Sequence, residues 1–207
     1  MKKILLILFT VLLSLNASAQ SLRRMWLTMP DSIMPYLNAS SRQEFVDFAD
    51  MKVKADVKNL LNGNNRMDTL TNDYLHVTLN RSATLEMKLL PQQKGDTILC
   101  FVKTFYGPSK ESEVRFYDMF WHLLPSQGKL PTVTPADFIS RPDTMSIERF
   151  DNLKAMIEPY LISAKLSQSD NSIVLSLAAP LVGSEDKKDI NTIFMQKKLN
   201  WENGSFK

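Results

Sequence analysis

The stretch Tyr74-Leu75-His76-Val77-Thr78-Leu79-Asn80-Arg81-Ser82-Ala83-Thr84-Leu85-Glu86-Met87-Lys88-Leu89 decides the fold. Leu75, Val77 and Leu79 alternate with Tyr74, His76, Thr78 and Asn80; Leu85, Met87 and Leu89 alternate with Thr84, Glu86 and Lys88. Successive side chains of a strand point to opposite faces, so this period of two predicts two strands, each with one buried and one polar face. Asn80-Arg81-Ser82 is short enough to join them as a hairpin. Pro91 ends the second, because it has no N–H to give to a ladder.

The same reading extends outward. Residues 97–106, between Lys94-Gly95-Asp96 and Gly107-Pro108-Ser109, form a longer and more apolar strand suited to the middle of a sheet. Val114 to Tyr117 starts another. Upstream, Val53, Ala55 and Val57 alternate with Lys54, Asp56 and Lys58, and Asn62-Gly63-Asn64-Asn65 is a turn signal. Two helices precede these strands. Pro30-Asp31-Ser32 starts a short one with Ile33, Met34 and Leu37 inward, Pro35 being tolerated in its first turn. Ser41 and Glu44 have capping-box spacing, which predicts a second helix over 42–52 with Phe45, Phe48 and Ala49 on one face.

Past Leu124 the composition changes. Pro125, Pro131, Pro135 and Pro142 punctuate a connector, within which Thr134-Pro135 predicts a short capped helix. Ser146 then opens a helix carrying Phe150, Leu153 and Ile157, stopped by Pro159. Residues 160–167 and 172–178 form a hairpin around Ser169-Asp170-Asn171. Ser184 caps a charged helix through about Phe194, with Ile190 and Ile193 inward. Leu199 and Trp201 open a last strand, Asn203-Gly204 turns the chain, and Phe206 returns to the core. Neighbouring strands with interspersed helices predict an α+β fold with antiparallel sheet and packed helices. Residues 20–207 read as one unit with two helix-plus-sheet halves, 20–124 and 144–207, joined by the connector 125–143. The halves share the pattern of one helix-plus-sheet unit, with too little identity between them for the sequence alone to establish a repeat.

The first nineteen residues read as a secretory signal. Lys2 and Lys3 are the positive end, Ile4 to Leu15 the apolar run, and Ala17-Ser18-Ala19 the cleavage site, placing the cut between Ala19 and Gln20. The apolar run is about a dozen residues, and a spanning helix needs roughly 20. No later segment is long and apolar enough to cross a bilayer. The one cysteine is Cys100, so the new N-terminus offers no site for a lipid anchor and the body holds together without an internal disulfide. The expected address is the periplasm or cell surface. Formal charge is +3, and two of those charges leave with the signal. The remainder has no general attraction for nucleic acid or anionic membrane.

Few catalytic arrangements survive inspection. There is no Gly-x-Ser-x-Gly elbow, phosphate loop, dinucleotide fingerprint, His-Glu-x-x-His or cysteine pair for zinc, and no cofactor is implied. Cys100 sits in the apolar run Ile98-Leu99-Cys100-Phe101-Val102 and reads as a small buried hydrophobe. His76 is on the polar side of its strand without an apparent partner; His122, in Met119-Phe120-Trp121-His122-Leu123-Leu124, reads as a packed core edge. Glu111 with Glu113, and Asp186 with Asp189, are spaced for contact but sit among lysines and serines, as on a solvated face. Arg23-Arg24-Met25-Trp26 reads either as a small basic-aromatic patch or as a mature N-terminus laid along the domain. The binding candidates are sheet positions: Tyr74, His76, Arg115 and Tyr117, with Trp121 beside them.

Several stretches together resemble domain-of-unknown-function family 3256. They are Met29-Pro30-Asp31-Ser32, Thr69-Leu70-Thr71-Asn72-Asp73-Tyr74-Leu75, Met87-Lys88-Leu89-Leu90-Pro91, Arg115-Phe116-Tyr117 with Trp121, and Leu199-x-Trp201-x-Asn203-Gly204-x-Phe206. The resemblance implies an exported protein of Bacteroidales-type bacteria with no assigned activity, and it transfers no site residues. The functional expectation is a non-enzymatic module that binds a protein, peptide or small ligand in the cell envelope through its sheet. Two alternatives stand beside it: a hydrolase with a dispersed His/carboxylate site, and a carrier with an apolar cavity. A cleft in which His76 or His122 meets a carboxylate favours the hydrolase; an enclosed apolar cavity favours the carrier.

Overall fold

The half-buried alternation around residue 80 becomes the middle of a seven-stranded antiparallel meander. Its strands pair in sequence order: β1 (Ala55–Lys58), β2 (Asn64–Leu70), β3 (Tyr74–Asn80), β4 (Ala83–Pro91), β5 (Thr97–Tyr106), β6 (Lys110–Tyr117) and β7 (Leu123–Leu124). The computed structural model describes residues 21–207, so the segment expected to be a signal and the cut expected between Ala19 and Gln20 lie outside the described residues. Among the described residues, no helix is long and apolar enough to cross a membrane.

Register assigns each side chain a face. Leu75 lies opposite Met87, Met87 opposite Phe101, and Phe101 opposite Arg115. Leu75, Val77, Leu85, Met87, Leu99 and Phe101 are buried on this face under two helices, α1 (Ser21–Thr28) and α2 (Ala39–Asp50). The Trp26 indole donates to the Arg42 carbonyl at 3.0 Å and meets Phe45 edge-on at 5.8 Å. Buried Arg42 ties the intervening loop down, donating to the carbonyls of Leu37 and Met29 and to Asp31 Oδ1 at 2.9 Å. Those ties explain why residues 30–37 bury Met34 and Leu37 as expected and yet form turns instead of a helix. Helix α2 also starts earlier than expected: Asn38 is the cap, its Oδ1 accepting the Ser41 N–H, so Ser41 falls inside the first turn. Helix α1 falls where the sequence suggested a basic-aromatic patch, with Met25 and Trp26 in the core and Arg23 on Asp50.

The opposite face of the meander receives the rest of the chain. A second antiparallel sheet, order β11-β10-β9-β8, is built from β8 (Leu161–Leu166), β9 (Ser172–Ala178), β10 (Lys197–Glu202) and β11 (Ser205–Phe206). With it come α3 (Ile147–Ala155), capped by Ser146, α4 (Lys187–Ile193), and the 3-10 turn Pro135–Phe138 inside the connector. Helix α4 begins at Lys187, three residues after the expected cap Ser184; its N-cap is Asp186, which makes no side-chain cap bond. Leu90, Ile98, Cys100, Val102 and Phe116 of the large sheet pack against Phe138, Leu153, Ile173, Leu175, Ile193 and Trp201. Phe116 stacks on Trp201 at 6.1 Å, and the Trp201 indole donates to the Pro91 carbonyl at 2.6 Å.

The two sheets are joined through an edge. β8 is the last strand of the small sheet, and an edge strand carries backbone groups with no ladder partner. Side chains on the face of the large sheet meet those groups. Ser112 Oγ accepts the Ala164 N–H at 2.9 Å and donates to the Ala164 carbonyl at 3.3 Å. Glu86 Oε2 accepts the Leu166 N–H at 3.3 Å, and Lys88 Nζ donates to the Gln168 carbonyl at 3.2 Å.

Candidate functional site

Because the small sheet meets the large one by its edge, only one of its faces is used for packing. Along β8 and β9 that face carries Ala164, Leu166, Ile173, Leu175 and Leu177. The alternate positions, Ser163 opposite Ser176 and Lys165 opposite Val174 opposite Lys198, form a polar wall. The floor beneath it is a polar strip of the large sheet: Thr69, His76, Thr84 and Tyr106, with Tyr74, Glu86 and Thr104 buried at its inner margin. Wall and floor enclose an open cleft of about 1100 Å³, closed at one end by the β8–β9 turn with Ser167, Gln168, Ser169 and Asp170.

On the floor, Tyr74 and Glu86 are held together. The Tyr74 hydroxyl donates to Glu86 Oε1 at 2.6 Å, and burial first, then this carboxylate, pushes the phenol far above its ordinary pKa. Buried Lys88 salt-bridges Asp73 at 2.8 Å and lies 5.9 Å from the centre of the Tyr74 ring. Next to them is a pair the sequence did not reveal. A register shift between Met67 and Thr69 leaves Asp68 out of the ladder. Such a bulge re-aims a side chain, and Asp68 here reaches across β3. Its Oδ2 lies 3.0 Å from His76 Nδ1 and accepts the Thr78 hydroxyl at 2.6 Å; its Oδ1 accepts Arg66 Nε–H at 2.5 Å. Burial works against charge on Asp68, but the Thr78 hydroxyl and Arg66 outweigh it and hold the carboxyl below its usual range. At the far side, the Tyr106 hydroxyl meets Thr84 Oγ1 at 3.3 Å and Lys110 Nζ lies 5.2 Å from the ring centre. On the wall, Lys198 pairs with Asp170 at 2.9 Å; hydrogen bonds from Ser172, then Lys198 and Ser167, hold that carboxylate well below its ordinary pKa.

The candidate sheet residues divide between the two faces. Tyr74 and His76 line the cleft. Arg115, in line with Phe101 and Leu75, is on the helix-side face, where Nη2 pairs with Glu113 at 2.5 Å. Tyr117 and Trp121 are buried on that same side, 5.2 Å apart, and Trp121 Nε1 donates to Thr28 Oγ1 at 3.4 Å. The five residues therefore do not share one surface. His122 is not a core edge: its side chain is 77% exposed, and its Nδ1 and backbone N–H bond to Asp118 in the tight loop that buries Trp121. Asp186 and Asp189 clamp Arg149 at 2.7 and 2.8 Å. Cys100 is fully buried, and burial raises its thiol pKa far above normal. Among the described residues no cluster of His, Cys, Asp and Glu is arranged to hold a metal ion.

A second, smaller cavity of about 550 Å³ opens at the β1–β3 end of the same face, lined by Lys54, Asp56, Lys58, Asn64, Arg66, Thr78, Asn80 and Arg81.

The model for the family described as a protein of unknown function (DUF3256) matches residues 14–206. Among solved structures, a domain of an uncharacterized protein from Porphyromonas gingivalis W83 is similar, with a TM-score of 0.75 and 20% identity over 90% of this chain and 98% of that one. At that identity the likeness shows a common fold. No curated protein matches the chain.

Proposed function

The chain belongs to the DUF3256 family of proteins of unknown function, and from this premise we propose that it is an exported binding module that takes an elongated, hydroxyl-rich ligand, an oligosaccharide, into the cleft between its sheets. One observation carries the reading: the cleft is formed by two polar sheet faces and is lined by serine, threonine, glutamine and lysine side chains. Such a surface offers many neutral donors and acceptors, interspersed with the apolar flanks of Tyr106, Val174 and Leu177. It suits a ligand that is itself covered with hydroxyls and gains orientation from many bonds, each of net worth about 1 kcal/mol. A peptide bound by strand addition needs a free edge, and the edge bordering the cleft, β8, is already satisfied by Glu86 and Ser112. The open polar walls do not suit the apolar-carrier alternative.

Ser176 is half-buried, on the cleft wall and away from the packed face. Binding to an oligosaccharide array is expected for the wild type and for an exterior control, Lys188→Tyr, and is expected to be lost in Ser176→Tyr. Array binding that survives Ser176→Tyr, or no saccharide bound at all, refutes the cleft. Export rests on the signal-like N-terminus, and the matching measurement is N-terminal sequencing of native envelope material. A chain starting at Gln20 supports it; one starting at Met1 in the cytosol does not.

A second reading, that the cleft is a hydrolase site, has one observation in its favour. His76 lines the cleft, and its Nδ1 is held by the carboxylate of Asp68 beside it, as in a base oriented by an acid. If it is right, bound oligosaccharides acquire new reducing ends, and His76→Asn stops this while leaving binding intact.

A further inference from the structure

We infer that the ligand is an anionic polysaccharide chain that runs along the large sheet from the cleft into the smaller cavity, with its acidic groups meeting uncompensated cations at both ends. The inference rests on the oligosaccharide reading above and adds charge and length to it. Thr78 lines the smaller cavity and Thr84 the cleft. They are direct cross-strand partners, about 5 Å apart, so the two cavities adjoin on one floor.

The charges in and beside the two cavities are unevenly matched. Every acid is engaged: Asp56 with Lys54, Asp68 with Arg66 and His76, Asp170 with Lys198, and Glu86 with Tyr74 and the Leu166 N–H. Four cations have no carboxylate partner among the described residues, Lys58 and Arg81 at one end and Lys110 and Lys165 at the other. All four are exposed. A neutral sugar leaves them unused. From β1, which carries Lys58, to β6, which carries Lys110, is five inter-strand steps, about 24 Å. A monosaccharide cannot reach both ends; an oligomer with an acid on each unit can.

The test uses the full chain and oligogalacturonates of graded length, with a carboxyl-reduced, neutral polymer of the same backbone as reference. An octamer is expected to bind at least tenfold more tightly than the reduced polymer, and to weaken several-fold between 50 and 300 mM salt as charges are screened. Lys58→Gln/Arg81→Gln, which alters only exposed side chains, is expected to weaken the octamer about tenfold and leave a dimer unaffected. Equal binding of neutral and anionic polymers, or an octamer indifferent to the double substitution, overturns the inference while leaving the oligosaccharide reading standing. If neither polymer binds, that reading itself has failed. Tighter binding of poly-glutamate than of any octamer overturns the inference in favour of an acidic protein partner.

Discussion

Glu86→Ala tests the joint between the sheets. The side chain is only 5% exposed, and its two oxygens accept the Tyr74 hydroxyl at 2.6 Å and the Leu166 N–H at 3.3 Å. Hydrogen bonds to a charged group contribute about 1.5–3 kcal/mol each. The shorter bond belongs near the top of that range and the longer one below the bottom. Removing the carboxylate also ends the desolvation cost of burying it, and water entering from the cleft can serve the two abandoned donors in part. The expected net loss is about 2–3 kcal/mol. Urea unfolding reads it as a lower midpoint at unchanged slope. Tyr74→Phe alone is expected to cost about 1 kcal/mol, and in the double variant the two losses do not add, because they share one bond. Amide exchange supplies the local measurement: the Leu166 N–H loses protection in Glu86→Ala, while the Leu175 N–H inside the small sheet keeps it. A midpoint within 0.5 kcal/mol of wild type, or Leu166 protection unchanged, refutes the idea that this carboxylate secures the β8 edge.

Other expectations follow from single contacts. Asn38→Ala removes the side chain that accepts the Ser41 N–H and should cost about 1 kcal/mol in thermal or urea unfolding. Phe116→Ala opens a cavity between the sheets beside Trp201 and Phe206 and should cost about 3–5 kcal/mol, with a fall in tryptophan emission order as the stack loosens. Asp137 is held at about pKa 2 by Lys197, then by the Thr134 N–H and hydroxyl. Its folded pKa is depressed, so the stability it contributes is present above the ordinary carboxylate pKa of 3.8 and is lost as pH falls from there toward 2. The difference in urea midpoint between wild type and Asp137→Asn should therefore shrink over that interval; a constant difference down to pH 2 contradicts it. Cys100 should label with a thiol reagent at pH 8 only as fast as the chain unfolds, because burial both covers the sulfur and keeps it protonated.

The parts of the fold legible in sequence are those whose two faces differ. β3 and β4 alternate because one face meets α1 and α2 and the other is polar, and that contrast is written in every second residue. β2 carries no such signal. Asn64-Asn65-Arg66-Met67-Asp68 has one apolar residue, and its inward Asn65 is satisfied by the carbonyls of Val57 and Gly63, so a strand hides inside a turn composition. β6 fails for the opposite reason. Phe116 and Tyr117 are both buried, on opposite faces, so parity cannot say which side Arg115 takes. That is why Tyr74 and Arg115 read as one surface and are found on two. The cleft was half legible: Ser163 and Lys165 on one strand and Ser176 on the next, alternating with apolar residues, mark a polar face. Which polar face it would oppose is fixed by contacts such as Ala164 with Ser112 and Leu166 with Glu86, far apart in sequence. Asp68 was illegible because only the bulge turns it toward His76.

The joint and the cleft have a common origin. A free sheet edge invites pairing with another chain, and the usual remedies are charge, proline or a covering helix. Here the edge of β8 is set against the face of the other sheet, and the groups that satisfy it are side chains: Ser112, Glu86 and Lys88. A sheet fixed by its edge cannot also cover the surface it stands on. One of its faces packs, and the other is left overhanging a floor. Had β8 paired directly with a strand of the meander, one continuous sheet would have formed and the polar wall would face solvent alone. The polar floor residues therefore play two parts by position: those beneath β8 hold the wall up, and those beyond it, His76, Thr84 and Tyr106, remain accessible to a ligand. This predicts a division within one row of side chains, in which substitutions under the edge change stability and those beyond it change binding. Glu86→Ala stands on one side of that division, and substitutions at His76, Thr84 and Tyr106 stand on the other.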